Sequence, residues 1–253
     1  MKTGEIHNCA ELIDLIGQIG FLPLLDSGIR GYSAEEIVDD DCRYVVLPDG
    51  GWDWPLWKWK GEIITEGGHV YGKFFAGKAG FISREWWPDF CNYRRRATLL
   101  PSHARPEATL LPSLARPEGT LDPSRTGEGP GEGLGTIEDT ILLTLAEHRS
   151  LITRELRALC GFDGPKMRSR FDSYVTRLQM ATRIVTEDFV YPQDRHGRQY
   201  GWGWSLLTTP EQLYGRDACR CDRTPDESFA RICEHIRKIC PEATEAQIRK
   251  MIK

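Results

Sequence analysis

Apolar positions recur along this chain every three to four residues in some stretches and every second residue in others, and each switch of period marks a change from predicted helix to predicted strand. The clearest run is Ile137–Pro210, where three amphipathic helical patterns are followed by two strand-like runs. Thr136-Ile137-Glu138-Asp139 has the form of a capping box, and Ile137, Ile141, Leu142 and Leu145 share one helical face. Thr153 suits the cap of a second helix bearing Leu156 and Leu159 and ending at Gly161. Asp163-Gly164-Pro165 turns the chain, and Pro165 suits the first position of a third helix. Ile184–Tyr191 and Tyr200–Leu206 then read as strands around the polar tip Asp194-Arg195-His196-Gly197-Arg198. This order predicts a winged helix-turn-helix over residues 136–215, followed by two packing helices, Glu227–Lys238 and Glu242–Ile252, within 216–253.

Residues 1–96 read as a separate α+β domain that is itself a divergent winged helix, so the predicted architecture is α+β with tandem winged-helix-like domains. Leu12, Ile13, Leu15, Ile16 and Ile19 make one face of a helix over Glu11–Gly20, with Asn8 as its cap. An irregular acidic stretch (Asp39-Asp40-Asp41) precedes a strand-like run, Arg43–Leu47, and the turn Pro48-Asp49-Gly50-Gly51. Val70–Phe75 and Gly80–Ser83 read as a hairpin, and Ser83 suits the cap of a helix carrying Trp86, Phe90 and Tyr93.

Between the halves, Ala97–Glu107 is repeated almost unchanged as Ala108–Glu118, and Gly127–Gly135 is rich in glycine. Each copy has two prolines, which forbids a continuous helix, and the copies are too few to stack a core. Residues 97–135 are therefore expected to be a flexible linker grown by tandem duplication.

Composition narrows the function classes. Apolar residues make up 40% and charged residues 28%, as in soluble globular proteins, and no run approaches a membrane span. The N-terminal residues lack the apolar stretch of a secretory signal, and the eight cysteines are scattered rather than arranged as a framework, so a reducing cytoplasm is expected. The net charge of −4 argues against a wholesale polyanion binder and leaves room only for a local basic patch. Such a patch exists: Lys166–Arg183 carries five basic residues against the single Asp172.

On a wheel at about 100° per residue, Met167, Phe171, Tyr174, Val175 and Leu178 form the core-facing stripe of the third helix. Lys166, Arg170 and Arg177 lie together on its flank, adjoined by Ser169 and Ser173. Arginine and lysine reach phosphates and guanine edges, and serine reaches phosphates or either base type. With Arg195, His196 and Arg198 on the wing tip, these are the candidate DNA-binding residues, and double-stranded DNA is the expected partner. A solvated helix face is the plainer reading of the same cations; the wing beside it favours DNA.

Trp52, Trp54, Trp57 and Trp59, interleaved with Lys58 and Lys60, include half of the tryptophans. They either stack on unpaired bases or fill a small core with the lysines reaching outward, and their density favours core. Asp53, Glu62, Glu66 and His69 include residue types fit for acid–base work, but no spacing pairs two of them. Cys219, Cys221, Cys233 and Cys240 miss the zinc-knuckle spacing, and the last two fall on an apolar face with Ile232, Ile236 and Ile239, so no metal site is expected. Gly77-Lys78 lacks the strand-to-helix setting of a phosphate loop, and no cofactor is expected.

Trp57-Lys58-Trp59-Lys60, Tyr71–Ser83, Tyr200-Gly201-Trp202-Gly203-Trp204 and Thr208-Thr209-Pro210-Glu211 resemble the AlkZ-related proteins, short bacterial chains grouped with the YcaQ/AlkZ-like winged-helix DNA glycosylases. The resemblance spans both halves and skips the repeated linker. It implies tandem winged helices that bind DNA, with a tie to repair of alkylated or crosslinked bases. Glycosylases of that superfamily use a glutamine-x-glutamine or glutamine-x-aspartate pair, and no glutamine here has that neighbour. No catalytic residue carries over, and three functions stay open: a DNA-binding protein, a glycosylase with a divergent site near Trp52–Glu62, and a non-catalytic protein-interaction module.

Overall fold

The computed structural model describes residues 4–48, 50–95, 136–164, 167–199 and 201–253. The repeated segment, Pro165, Lys166 and Tyr200 lie outside the described residues.

The first helix, α1 (Cys9–Ile19), starts where Asn8 accepts the Glu11 N–H and stops at Gly20, whose φ of 79° is cheap only for glycine. It buries Leu12 and Ile16 and leads into β1 (Phe21–Pro23). Two single-turn helices follow, α2 (Ala34–Ile37) and α3 (Asp40–Arg43), so the acidic stretch expected to be irregular is helical. Asp39 makes it so, its carboxylate accepting the Asp41 N–H at the first turn. A small ribbon pairs β2 (Val45–Val46) with β3 (Trp52–Asp53). The tryptophan run that comes next is then largely helical, in α4 (Pro55–Thr65), with proline at its start and Leu56, Lys60, Ile63 and Ile64 buried at helical spacing.

The hairpin of β4 (Val70–Phe75) and β5 (Lys78–Ile82) leads to α5 (Trp87–Arg95). Ser83 does not act as the expected side-chain cap: its carbonyl accepts the Trp86 and Trp87 N–H groups, while its buried hydroxyl has no partner among the described residues.

The second half runs α6 (Ile137–His148), β6 (Ser150–Ile152), α7 (Thr153–Leu159), α8 (Arg168–Met180), β7 (Val185–Val190) and β8 (Trp204–Thr208). The Thr136–Asp139 capping box is formed at both ends. Thr153 is the first helical residue of α7 rather than its cap, and its hydroxyl donates to the Ser205 carbonyl. Then α9 (Pro210–Tyr214), α10 (Pro225–Ile239) and α11 (Glu245–Met251) finish the chain, making eleven helices among the described residues. None of the described helices is long and apolar enough to cross a membrane.

The fold is α+β around one antiparallel six-stranded sheet in the order β1-β5-β4-β7-β8-β6. Read inward from either edge, each half contributes the short strand first, then the second and the first strand of its hairpin. The seam is a single pairing, Tyr71 with Thr186, where β4 meets β7. Side chains reinforce that seam. The buried Arg94 guanidinium donates to the carbonyls of Phe74, Met180 and Ile252, and Arg95 bridges Thr182 O at 2.7 Å and Glu211 at 2.6 Å. One core cluster joins Phe21, Trp87 and Phe90 of the first half to Phe229, Ile232 and Ile236 of α10. The C-terminal helices thus pack on the first half.

Candidate nucleic-acid interface and an aromatic cavity

Helix α8 presents its apolar stripe as the wheel predicts: Phe171, Val175 and Leu178 are buried, with Met167 and Tyr174 packed against the same cluster. The flank on the far side of the helix is covered by the first half. Lys73 N donates to Gln179 Oε1 and Lys73 Nζ to Thr176 Oγ1, both at 3.2 Å. Gly77 at the β4–β5 turn sits so close that a Cβ there would lie 3.6 Å from Thr176 and 3.8 Å from Met180. What stays open is the strip carrying Ser169, Arg170, Ser173 and Arg177. Arg170 has no ion pair among the described residues, whereas Arg177 is paired with Glu138 of α6 and lies over the Tyr174 ring. The Ser173 hydroxyl donates to Ser169 O at 2.9 Å, which occupies its one donor within the helix. Lys166, expected beside them, lies outside the described residues.

The tip between β7 and β8 is built by Asp194. Its carboxylate accepts the N–H groups of His196 at 2.7 Å and Arg198 at 2.9 Å, and Gly197 supplies the φ of 78° that closes the turn. Because the backbone occupies that carboxylate, Arg195 and Arg198 are exposed with no ion pair among the described residues, and Arg195 Nε donates to His196 Nε2 at 3.0 Å.

A cavity of about 690 Å³ opens at the root of this same hairpin, between the two halves. Trp52, Trp54, Trp57, Lys58, Gly61 and Glu62 line it from the ribbon and α4, and Asp188, Phe189, Tyr191, Gln199, Gly201 and Trp202 from the β7–β8 hairpin. The rings form a continuous ladder. Tyr44 stacks on Trp52 at 5.4 Å, Trp52 meets Trp202 at 5.3 Å, Trp202 meets Trp57 edge-on at 5.9 Å, and Trp57 stacks on Trp54 at 5.0 Å. Trp54, Trp57 and Trp59 all pack against the first-half core, as the core reading expects, and Trp54 and Trp57 line the cavity as well. The core reading is corrected only for Trp52, which is 48% exposed.

The acids divide in the same way. Asp53 and Glu62 line the cavity and meet Asp188 there, whereas Glu66 is not among the lining residues. His69 is buried, its Nε2 3.0 Å from Ile13 O, and burial pushes its pKa down, which keeps the ring neutral. The Lys58 ammonium, 2.7 Å from Asp53, holds that carboxyl below the usual range. No cation pairs with Glu62 or Asp188 among the described residues. Asp188 owes its position to a bulge in β7, where the register against β8 skips Glu187.

Lys60 overturns the expectation that both lysines of the run reach outward. Lys58 does so, at 64% side-chain exposure, but Lys60 is 1% exposed. Its Nζ lies 3.8 Å from the Trp57 ring centroid, 4.1 Å from that of Phe189 and 3.5 Å from Trp202 O. The helical period explains the difference: α4 turns residue 58 to solvent and residues 56, 60 and 63 to the core. Among the four C-terminal cysteines, Cys233 is buried with Ile232 and Ile236 and Cys240 packs on the same cluster, the apolar face the spacing predicts.

Sequence reasoning missed Asp188, Tyr191, Trp202 and the inward turn of Lys60. Gly201-Trp202-Gly203 was visible as a string, but no local pattern brings it to Trp57.

A family model described as AlkZ related matches residues 6–109 and 132–253. No curated protein matches the chain, and no solved structure matches it.

Proposed function

Because the chain belongs to the AlkZ-related family, we propose that it is a DNA-binding protein of DNA repair, built as two winged helices side by side, that receives an unstacked nucleobase in its aromatic cavity. The observation that carries this reading is the junction itself: a cationic wing tip, Arg195 to Arg198, whose two strands end in the walls of the cavity. The winged-helix reading rests on element order. Helix, short strand, helices and hairpin occur in each half, with the short strand paired to the second hairpin strand in both. Since the first half covers one flank of α8, the helix offers duplex DNA a strip rather than a whole face. Binding of phosphates then falls to Arg170, Arg195 and Arg198, with Arg177 shared with Glu138.

A base extruded from a duplex needs a pocket with π-faces and polar edges, and stacking on an aromatic side chain is worth about 1–3 kcal/mol per base. Trp57, Trp202 and Tyr191 supply the faces, Gln199 and Asp53 the edges. The second reading, a glycosylase with a divergent site, is favoured by Glu62 and Asp188. Two carboxylates without paired cations in an aromatic cavity suit a cationic alkylated base and the sugar cation that forms as its bond to the base breaks. Such an enzyme would release free base from alkylated duplex, and the Asp188→Asn variant would release at least tenfold less.

Simultaneous replacement of Arg170, Arg195 and Arg198 by alanine tests the DNA reading. Fluorescence anisotropy with a labelled duplex should give an affinity at least tenfold weaker at 100 mM salt. The slope of log affinity against log salt should become shallower by about 2–3, close to 0.9 for each phosphate that is no longer neutralised. An unchanged slope across the salt series removes these three residues from the interface and the DNA reading with them.

A further inference from the structure

Lys60 has a setting that structure alone does not require. Among the described residues it is the only buried lysine, and no carboxylate stands beside its ammonium. Its three neighbours, Trp57, Phe189 and Trp202, all line the cavity, so the amine lies directly behind the cavity wall. A lysine ordinarily runs its stem along apolar surface and leaves its head in water. Here desolvation pushes the amine down to about 7, so that near neutral pH a large fraction carries a free lone pair.

Trp202 is the part of the wall flanked by glycines. It sits between Gly201 and Gly203, at φ values of 74° and 70°, and is 50% exposed. Glycines in that conformation change their dihedrals without the steric cost a Cβ would impose. Among the described residues, only the Trp202 carbonyl holds the Lys60 amine by a hydrogen bond. Displacement of the indole from Trp57 and Trp52 by an entering base would turn the amine toward the cavity.

We propose that Lys60 is an amine nucleophile of this cavity and that its substrate class is the ring-opened, aldehyde form of an abasic deoxyribose in DNA. The inference rests on the DNA-binding reading above and adds a covalent step to it. The nitrogen lone pair forms a bond to the aldehyde carbon while the carbonyl π-bond breaks onto oxygen, and a proton passes from nitrogen to that oxygen. A second proton, drawn from solvent, lets the oxygen leave as water. The product is a protonated imine, a cation in a cavity that holds two carboxylates without paired cations and several π-faces. No oxidant or reductant is consumed.

The experiment uses the full chain and a labelled duplex with one abasic site, with sodium borohydride added to reduce the imine to a stable amine. The wild-type protein should give a covalent protein–DNA product, and peptide mass mapping should put the adduct on Lys60. Lys60→Met should lose the product at least tenfold, while Lys250→Ala, on the far C-terminal helix, should keep it. The rate of trapping should rise with pH and reach half its plateau near 7, where a surface lysine would still be rising above 9. No product, a product that persists in Lys60→Met, or an adduct mapped to another lysine overturns the inference. Mapping on the wild-type protein keeps the test decisive should the variant fold poorly. Anisotropy on the same duplex separates the two readings: binding without trapping removes the amine chemistry alone, and loss of both removes the DNA reading as well.

Discussion

An Asp89→Ala chain should unfold at markedly lower urea than the wild type, with a loss of about 3–5 kcal/mol, the cost typical of breaking a buried ion pair from one side. Asp89 is fully buried, yet one carboxylate serves Arg223 at 2.9 and 3.2 Å, Ser228 at 2.9 Å and also Arg231. These partners belong to α10 and the loop before it, and Asp89 to α5, so the carboxylate fastens the C-terminal helices to the first half. Removing it leaves Arg223 without its carboxylate partner and Arg231 with Glu85 alone. Arg223 and Arg231 keep 43% and 30% side-chain exposure, which lets water soften the loss toward the lower end of that range. Asp89→Asn keeps one accepting oxygen but turns the other position into a donor facing guanidinium donors, and should fall between. A change below 1 kcal/mol for the alanine variant would mean that apolar packing of α10 on α5 suffices by itself.

The second large effect depends on pH. Lys60→Met should stabilise the protein at pH 6 and do so progressively less as pH rises. The folded-state amine titrates at about 7 against 10.5 in the unfolded chain, so below 7 the native state carries a buried charge that the unfolded state hydrates freely. Between 7 and 10.5 the unfolded chain binds more protons, and wild-type stability therefore climbs with pH by about 1.4 kcal/mol per unit. From pH 6 to 9 the advantage of methionine, an unbranched side chain that fits the same path, should shrink by roughly 2–3 kcal/mol. Urea denaturation at the two pH values reads this directly. An advantage that stays constant would mean that the Trp57 and Phe189 rings hold the ammonium charged throughout the range.

Much of the fold was legible along the chain because it depends on neighbours in sequence. The Thr136–Asp139 box, the Asn8 cap and the α8 stripe of Phe171, Val175 and Leu178 each follow from spacing within one or two turns. The cationic tip was legible for the same reason, since Asp194 and Gly197 close a local turn and leave Arg195 and Arg198 outside it. The helical nature of residues 55–65 was harder to see, because tryptophan and lysine alternate there like a strand and only Pro55 hints at a helix start.

The site belongs to the other category. Trp57 and Trp202 are far apart in sequence, and their meeting depends on the seam between β4 and β7, which brings the β7–β8 hairpin of one half against α4 of the other. The burial of Lys60, the arrival of Asp188 beside Asp53 and Glu62, and the covering of one flank of α8 all follow from that seam. Local patterning set which residues form helices, caps and turns, because those choices are settled over distances of a few residues. Which aromatic rings enclose a cavity and which amine loses its water was decided by the docking of the two halves along one sheet, a long-range event that no single stretch of sequence encodes.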